Sequence, residues 1–240
     1  MSDLLELAIA AHGGWERWQR LRRIVANVSV GGTIWQVKGW PDAFADARFE
    51  IDPHIQRTEQ YAGQGDAARH GVYEPERTVL VSADGKVIEQ RAAPRRSFDG
   101  HTIATRWDDH QLIYFAGYAM WTYLTTPFLF RLPGFRTEEV EPWDEDGETW
   151  RRLKVSFPAH VHSHSAEQTL YFDRSGLLKR QDYSVEIMGG TSSCNYATEP
   201  RSFGGIVYPT RRRVFAVGPD NRPIRSRVAV AIDFLHIDVG

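Results

Sequence analysis

WDDHQLIYFAGYAMWTYLTTPFLF, Trp107 to Phe130, decides how the rest of the chain must be arranged. From Leu112 to Phe130 it carries no charge, and it holds Tyr114, Phe115, Tyr118, Trp121, Tyr123, Phe128 and Phe130. Asp108 and Asp109 stand where acids favour a helix start, facing the positive end of the helix dipole. Pro127 ends the helix, because it lacks an N–H and pushes the residue before it out of helical geometry. A helix apolar on every side has no face for water and must be enclosed. Its length is near the roughly 20 residues of a bilayer span. Tyr, Thr and Gly nevertheless dilute its apolarity, no basic flank precedes it, and the chain has no second such stretch. The stretch therefore predicts a buried helix plugging something large and concave.

Upstream, Asp3 to Arg23 reads as a helix broken at Gly13-Gly14, capped by Ser2 or Asp3, with Leu4, Leu5, Ala8, Ile9 and His12 on one face. From Ile24 the period changes to two. Val28, Val30, Ile34 and Trp40 alternate with polar or small residues, as in a half-buried strand, and Gly31-Gly32 suggests a bulge or bend. Strands follow at Phe44 to Ile51 and Ile55 to Tyr61, then a small polar loop from Tyr61 to His70. Thr78 to Val81 and Val87 to Arg91 flank Asp84-Gly85, a hairpin signal because both residues tolerate positive φ. An irregular basic link, Arg91 to His101, leads into the apolar helix.

Downstream, Phe135 to Trp143 pairs with Trp150 to Phe157 across Asp144 to Gly147. Gln168 to Asp173 pairs with Leu177 to Ile187, and Met188 to Ser193 is a loop before a short strand, Asn195 to Thr198. Ile206 to Val217 pairs with Arg225 to His236. About ten antiparallel strands, with helices only at the start and in the middle, make an α+β, mainly-β single domain over residues 1–240. A sheet of this size curls or closes to hide its edges, and the apolar helix would fill its concave face.

Composition narrows the function classes. The chain has 240 residues, 42% hydrophobic and 25% charged, which is ordinary for a globular protein. A net charge of −2 gives no footprint for nucleic acid or an anionic membrane. The single Cys194 excludes an internal disulfide and a cysteine zinc cluster. The start, MSDLLELAIAAHGG, has no basic region, and Glu6 interrupts its apolar run, so it does not read as a secretory signal and the expected location is cytoplasmic. Nucleophile-elbow, phosphate-loop, H-E-x-x-H and C-x-x-C motifs are absent, and Gly204-Gly205 precedes a strand rather than a helix, so no standard cofactor is implied.

AHGGWERWQRLRRI (11–24), GYAMWTYLTTPF (117–128), EQTLYFDRSGLLKRQDY (167–183) and GGIVYPTRRRV (204–214) resemble a group of uncharacterised bacterial proteins. The order of helix, antiparallel strands, helical insert and more strands resembles the LolA/LolB-like lipoprotein-carrier superfamily. That resemblance implies an open, unclosed β-barrel wrapped around the central helix, with helices lidding an apolar cavity. It implies a hydrophobic or amphipathic, lipid-like small molecule as the partner.

Three constellations could carry chemistry. His160, His162 and His164 fall on one face if HVHSHSAE is extended, and with Glu167 or His236 they could bind zinc, iron or copper. The other reading is a polar loop leading into strand 168–173. Arg180, Asp182 and Ser184 alternate on one strand face with Tyr183 on the other. On a later strand Arg212 shares a face with Tyr208 and Val214, opposite Arg211 and Arg213. An inward arginine needs a carboxylate, from Asp182 or from a ligand, whereas outward ones would form a surface ion-pair ladder. His110, Tyr114 and Tyr118, spaced by four, stack along one helix face. Bordering a cavity they would orient a ligand together with Trp121, Asp182 and Arg212; otherwise they are buried polar tips satisfied by the core. The leading expectation is a binding protein. The alternative is an enzyme on a hydrophobic metabolite (a cyclase, isomerase or metal-dependent oxygenase) using the histidine cluster or a His110/Asp182 acid–base pair. A third is an interaction protein pairing through its edge strands.

Overall fold

The computed structural model describes residues 3–62 and 69–240. Two short helices open the chain, α1 (Asp3–Ala11) and α2 (Trp15–Arg20), separated at the two glycines as their sequence requires. Thirteen antiparallel strands form one sheet. The first half runs β1 (Ile24–Gly31), β2 (Ala47–Asp52), β3 (Arg57–Ala62), β4 (Arg69–Glu74), β5 (Arg77–Ser82) and β6 (Val87–Ala92). The second half runs β7 (Arg136–Glu145), β8 (Glu148–Ser156), β9 (Glu167–Phe172), β10 (Leu178–Val185), β11 (Thr191–Phe203), β12 (Ile206–Ala216) and β13 (Val230–Val239). Each half is a meander, and pairing of β1 with β13 joins them, so β6 and β7 are the free edges and the barrel stays open.

The apolar helix is α4 (Asp109–Thr125), which connects those two edges in the chain. Asp108 caps it: its carboxylate accepts from the Gln111 N–H, and the Gln111 side chain accepts from the Asp108 N–H. This reciprocal box fixes the helix start. Every residue from His110 to Thr125 is buried. Among the described residues no helix is long and apolar enough to cross a membrane.

Three readings of the strand pattern are corrected. Residues Thr33–Lys38 form a helix, α3, rather than continuing the strand. Over six residues, Ile34, Trp35 and Lys38 also fit one buried helix face, and Gly32, at φ 113°, turns the chain out of β1. The loop assigned to 61–70 contains the start of β4, while 63–68 lie outside the described residues. The short strand at 195–198 is part of the thirteen-residue β11, which continues past Glu199 (φ 55°) because Pro200 stands opposite Pro209 in register.

The position of α4 inside the sheet is set by glycine. A Cβ on Gly117 would lie 2.3 Å from the Tyr73 Cβ, and one on Gly71 would lie 2.6 Å from Ile113 Cγ1. The helix thus presses against β3–β5. Thr58 Oγ1 donates to Gly117 O at 3.1 Å, Gln60 Nε2 to Ile113 O at 2.7 Å, and Trp121 Nε1 to Asp52 O at 2.9 Å. Leaning to this side, the helix leaves space on the other.

Candidate functional site

That space is a cavity of about 790 Å³, its open mouth included, between α4 and strands β1, β2 and β10–β13. The helix contributes Phe115, Ala116, Ala119, Met120 and Tyr123. Two alanines on this face hold the wall back from the sheet. The sheet contributes Val30 and Phe49 on one side, and Tyr183, Ser193, Val214 and Ile232 on the other. Ile103, nearly half exposed, stands in the wall before α4. Its loop is pinned by the fully buried Lys38, whose Nζ donates to the carbonyls of Thr102, Ile103 and Thr105 at 3.2, 2.8 and 3.1 Å. Burial pulls the Lys38 pKa down to about 8.

One polar cluster interrupts the apolar wall. The segment after β8 runs beside α4, and two of its histidines meet two tyrosines of the helix. His162 Nδ1 lies 3.0 Å from the Tyr114 hydroxyl, and His164 Nδ1 lies 3.0 Å from the Tyr118 hydroxyl. The two tyrosines stand four residues apart, about one helical turn, so both hydroxyls reach the side of α4 along which the segment runs. His164 Nε2 lies 2.9 Å from the Tyr123 hydroxyl, which lies 3.0 Å from that of Tyr183. The His164 ring also stacks on Tyr183, centroids 4.1 Å apart. Burial, reinforced by the Arg95 charge, lowers the His164 pKa to about 3, so the ring is neutral near pH 7. His164, Tyr123 and Tyr183 border the cavity.

The expected metal set does not assemble. His164 has both ring nitrogens in hydrogen bonds, His160 is exposed, and Glu167 points out to Lys154 at 3.1 Å. The segment is not an extended strand: it turns at Ala159–His160, and this separates the side chains that alternation would have aligned. Among the described residues no three His, Cys, Asp or Glu side chains converge on a common point.

His110, Tyr114 and Tyr118 do stack along one face of α4, but the centre of that face lies about 170° around the helix axis from the centre of the cavity wall. His110 Nδ1 meets Thr78 Oγ1 at 2.9 Å. The Tyr114 hydroxyl accepts from Arg95 Nη1 at 3.1 Å, and burial raises its pKa to about 12 despite that arginine. Trp121 is a core residue tied to Asp52. None of these four lines the cavity.

Asp182 lies on the outer face of β10. It takes bidentate bonds from Arg180 at 2.6 and 2.8 Å and accepts from Tyr171 at 2.6 Å. Arg180 also reaches Glu145 at 3.0 Å under the β12–β13 loop. Asp182 is therefore neither partner to Arg212 nor acid–base mate to His110. Arg211 and Arg213 form the outward ladder, with Glu199 and Asp233. Arg212 points inward, 1% exposed, with its guanidinium 4.5 Å from the Tyr123 ring centroid. Its Nη2 donates to Tyr123 O at 3.5 Å, while Nε and Nη1 have no partner. Burial lowers its pKa to about 10.

Sequence reasoning missed Tyr123 and Tyr183 as site residues. No sequence signal ranked them above the other rings: Tyr123 lies on a helix buried on every side, and which face of β10 carries Tyr183 inward depends on the sheet's closure.

No family model matches the chain, and no curated protein matches it. Solved structures do. A LolA superfamily protein from Nitrosomonas europaea superposes with a TM-score of 0.56 at 8% identity, covering 99% of this chain and 92% of that one. A putative outer membrane lipoprotein-sorting protein domain from Vibrio parahaemolyticus gives a TM-score of 0.56 at 9% identity, covering 98% and 91%. With its open antiparallel sheet folded around a central helix, the chain has a LolA-like fold.

Proposed function

We propose that the protein binds a hydrophobic or amphipathic small molecule, lipid-like in character, in the cavity beside α4. The observation that carries this reading is the cavity itself. It is walled by aromatic and aliphatic side chains, with polarity confined to a few hydroxyls and a neutral imidazole. Such a site draws an apolar chain by burial, at roughly 25 cal/mol per Å² of apolar surface removed from water, and uses its few polar groups for orientation. A related fold in a protein described as lipoprotein-sorting is consistent with a lipid-like ligand.

The test is binding of a neutral apolar dye, N-phenyl-1-naphthylamine, to delipidated protein, with native mass spectrometry of freshly purified protein alongside. Ala119→Phe places a ring into the cavity from the helix wall. Dye binding is expected to weaken tenfold or more in this variant, with the melting temperature little changed. Equal dye binding by wild type and variant, or none by either, would sink the assignment of this cavity.

A further inference from the structure

The polar end of the cavity has more hydrogen-bond donors than acceptors. At neutral pH His164 carries one N–H, and Tyr118, Tyr123 and Tyr183 each carry one O–H. These four hydrogens serve three contacts: Tyr118 to His164, His164 to Tyr123, and Tyr123 to Tyr183. One donor is always left over. Tyr118 is fully buried and its hydroxyl touches only His164. Stranding the spare hydrogen there would leave a buried donor unpaired, the costlier choice. The cheaper arrangement has Tyr118 donating to Nδ1 and Nε2–H donating to the Tyr123 oxygen. The spare O–H then falls on Tyr123 or Tyr183, both in the cavity wall.

Behind these phenols lies an uncompensated charge. Among the described residues Arg212 has no carboxylate within ion-pair distance, and two of its three nitrogens lack a partner. Its bond to the last turn of α4 uses the negative end of the helix dipole but occupies only Nη2. Asn195 is fully buried on β11, two residues on from the wall residue Ser193; its amide lies beside the Tyr123 hydroxyl, and neither amide atom makes a well-formed hydrogen bond. Burial is the main influence raising the pKa of Tyr123 and of Tyr183, and the Arg212 charge opposes it in both, so the guanidinium acts on both hydroxyls. Surplus donors in the wall of an apolar cavity, with an unmatched buried cation behind Tyr123, call for an oxyanion.

We propose that the ligand is an amphipathic acid, an apolar chain ending in one carboxylate-like oxyanion, whose head group is received by Tyr123 and Tyr183 and balanced by Arg212 and Asn195. This rests on the cavity being the binding site and adds the polarity and direction of what it holds.

The experiment is calorimetry at pH 8 with delipidated wild-type protein and three probes of equal chain length, dodecanoate, dodecan-1-ol and methyl dodecanoate, plus acetate as an anion without a chain. Dodecanoate is expected to bind at least tenfold more tightly than the alcohol or the ester, and acetate to bind undetectably. Arg212→Gln should abolish the preference while retaining binding of the alcohol. Tyr183→Phe should reduce the preference severalfold. Equal affinity for all three chains overturns the head-group proposal and leaves the cavity reading intact. Failure of every chain to bind overturns both. Acetate binding as tightly as dodecanoate would make the site one for a free anion and overturn the amphipathic assignment. If Arg212→Gln does not fold, the wild-type probe series and Tyr183→Phe still decide.

Discussion

His164 makes the interior of this protein sensitive to acid, and the size of the effect follows from its surroundings. Its pKa is about 3 in the folded state against 6.5 for an ordinary histidine, mainly because it is buried. A pKa lowered on folding means that the unfolded chain binds the extra proton first. Stability is then full above the unfolded pKa and falls as pH drops from 6.5 toward 3. Between pH 7 and pH 5 the loss from this one group is on the order of 2 kcal/mol. His12, also buried and lowered to about 4, adds a similar amount. His164→Gln isolates the first contribution. Glutamine cannot hold both tyrosine contacts or stack on Tyr183, so the variant should be less stable at pH 7 by about 1–3 kcal/mol. It has no titratable ring, so its deficit should shrink by about 2 kcal/mol at pH 5. Urea unfolding followed by tryptophan fluorescence at the two pH values measures this directly. Carboxylates and His12 contribute to both proteins and cancel in the difference. If wild type and variant lose stability in parallel, within about 0.5 kcal/mol, the neutral, doubly bonded state assigned to His164 is wrong.

Gly117→Ala should destabilise by about 1–3 kcal/mol despite alanine's better helix propensity, because the new methyl would meet the Tyr73 Cβ at 2.3 Å. A raised melting temperature would show that α4 does not approach β4 so closely. Arg180→Met leaves Asp182 without its cation and Glu145 with only Arg225, at 3.4 Å, and should cost about 3–5 kcal/mol in urea unfolding without weakening dye binding. A loss below about 1 kcal/mol would mean the network is solvated, and a loss of dye affinity in the folded variant would mean it serves the cavity after all.

The architecture was legible because its determinants are local and periodic. An uncharged nineteen-residue run, Leu112 to Phe130, cannot face water, so enclosure followed from composition. Asp108 and Asp109 marked the helix start as acids facing the positive end of the dipole, and the structure caps the helix at Asp108. The hairpins at Asp84-Gly85 and at Asp144–Gly147 were set by residues that tolerate positive φ, and the structure places strands on both sides of each. Alternation along 211–213 set Arg212 opposite its two neighbours, and the structure turns Arg212 inward and the neighbours outward.

The interior face of α4 was not legible, because every side of that helix is buried and period alone cannot rank them. Only the tertiary packing, with Gly71 and Gly117 drawing the helix onto β4, left the cavity on the side of Ala116, Ala119 and Tyr123. The histidine segment misled for a related reason. Alternation presumes a strand, and whether residues 157–166 extend or turn depends on neighbours far away in sequence, Gln56 among them, which bonds the His162 backbone at 2.6 and 2.9 Å. Asp182 was paired with the wrong arginine because a sheet has two faces, and distant strands decide which charge each face offers. The sequence by itself determined that a helix must be enclosed and that Arg212 faces away from Arg211 and Arg213. Tertiary structure alone decided that Arg212 turns inward and meets that helix behind Tyr123 of the cavity wall, since that meeting depends on contacts between α4 and β12, some ninety residues apart.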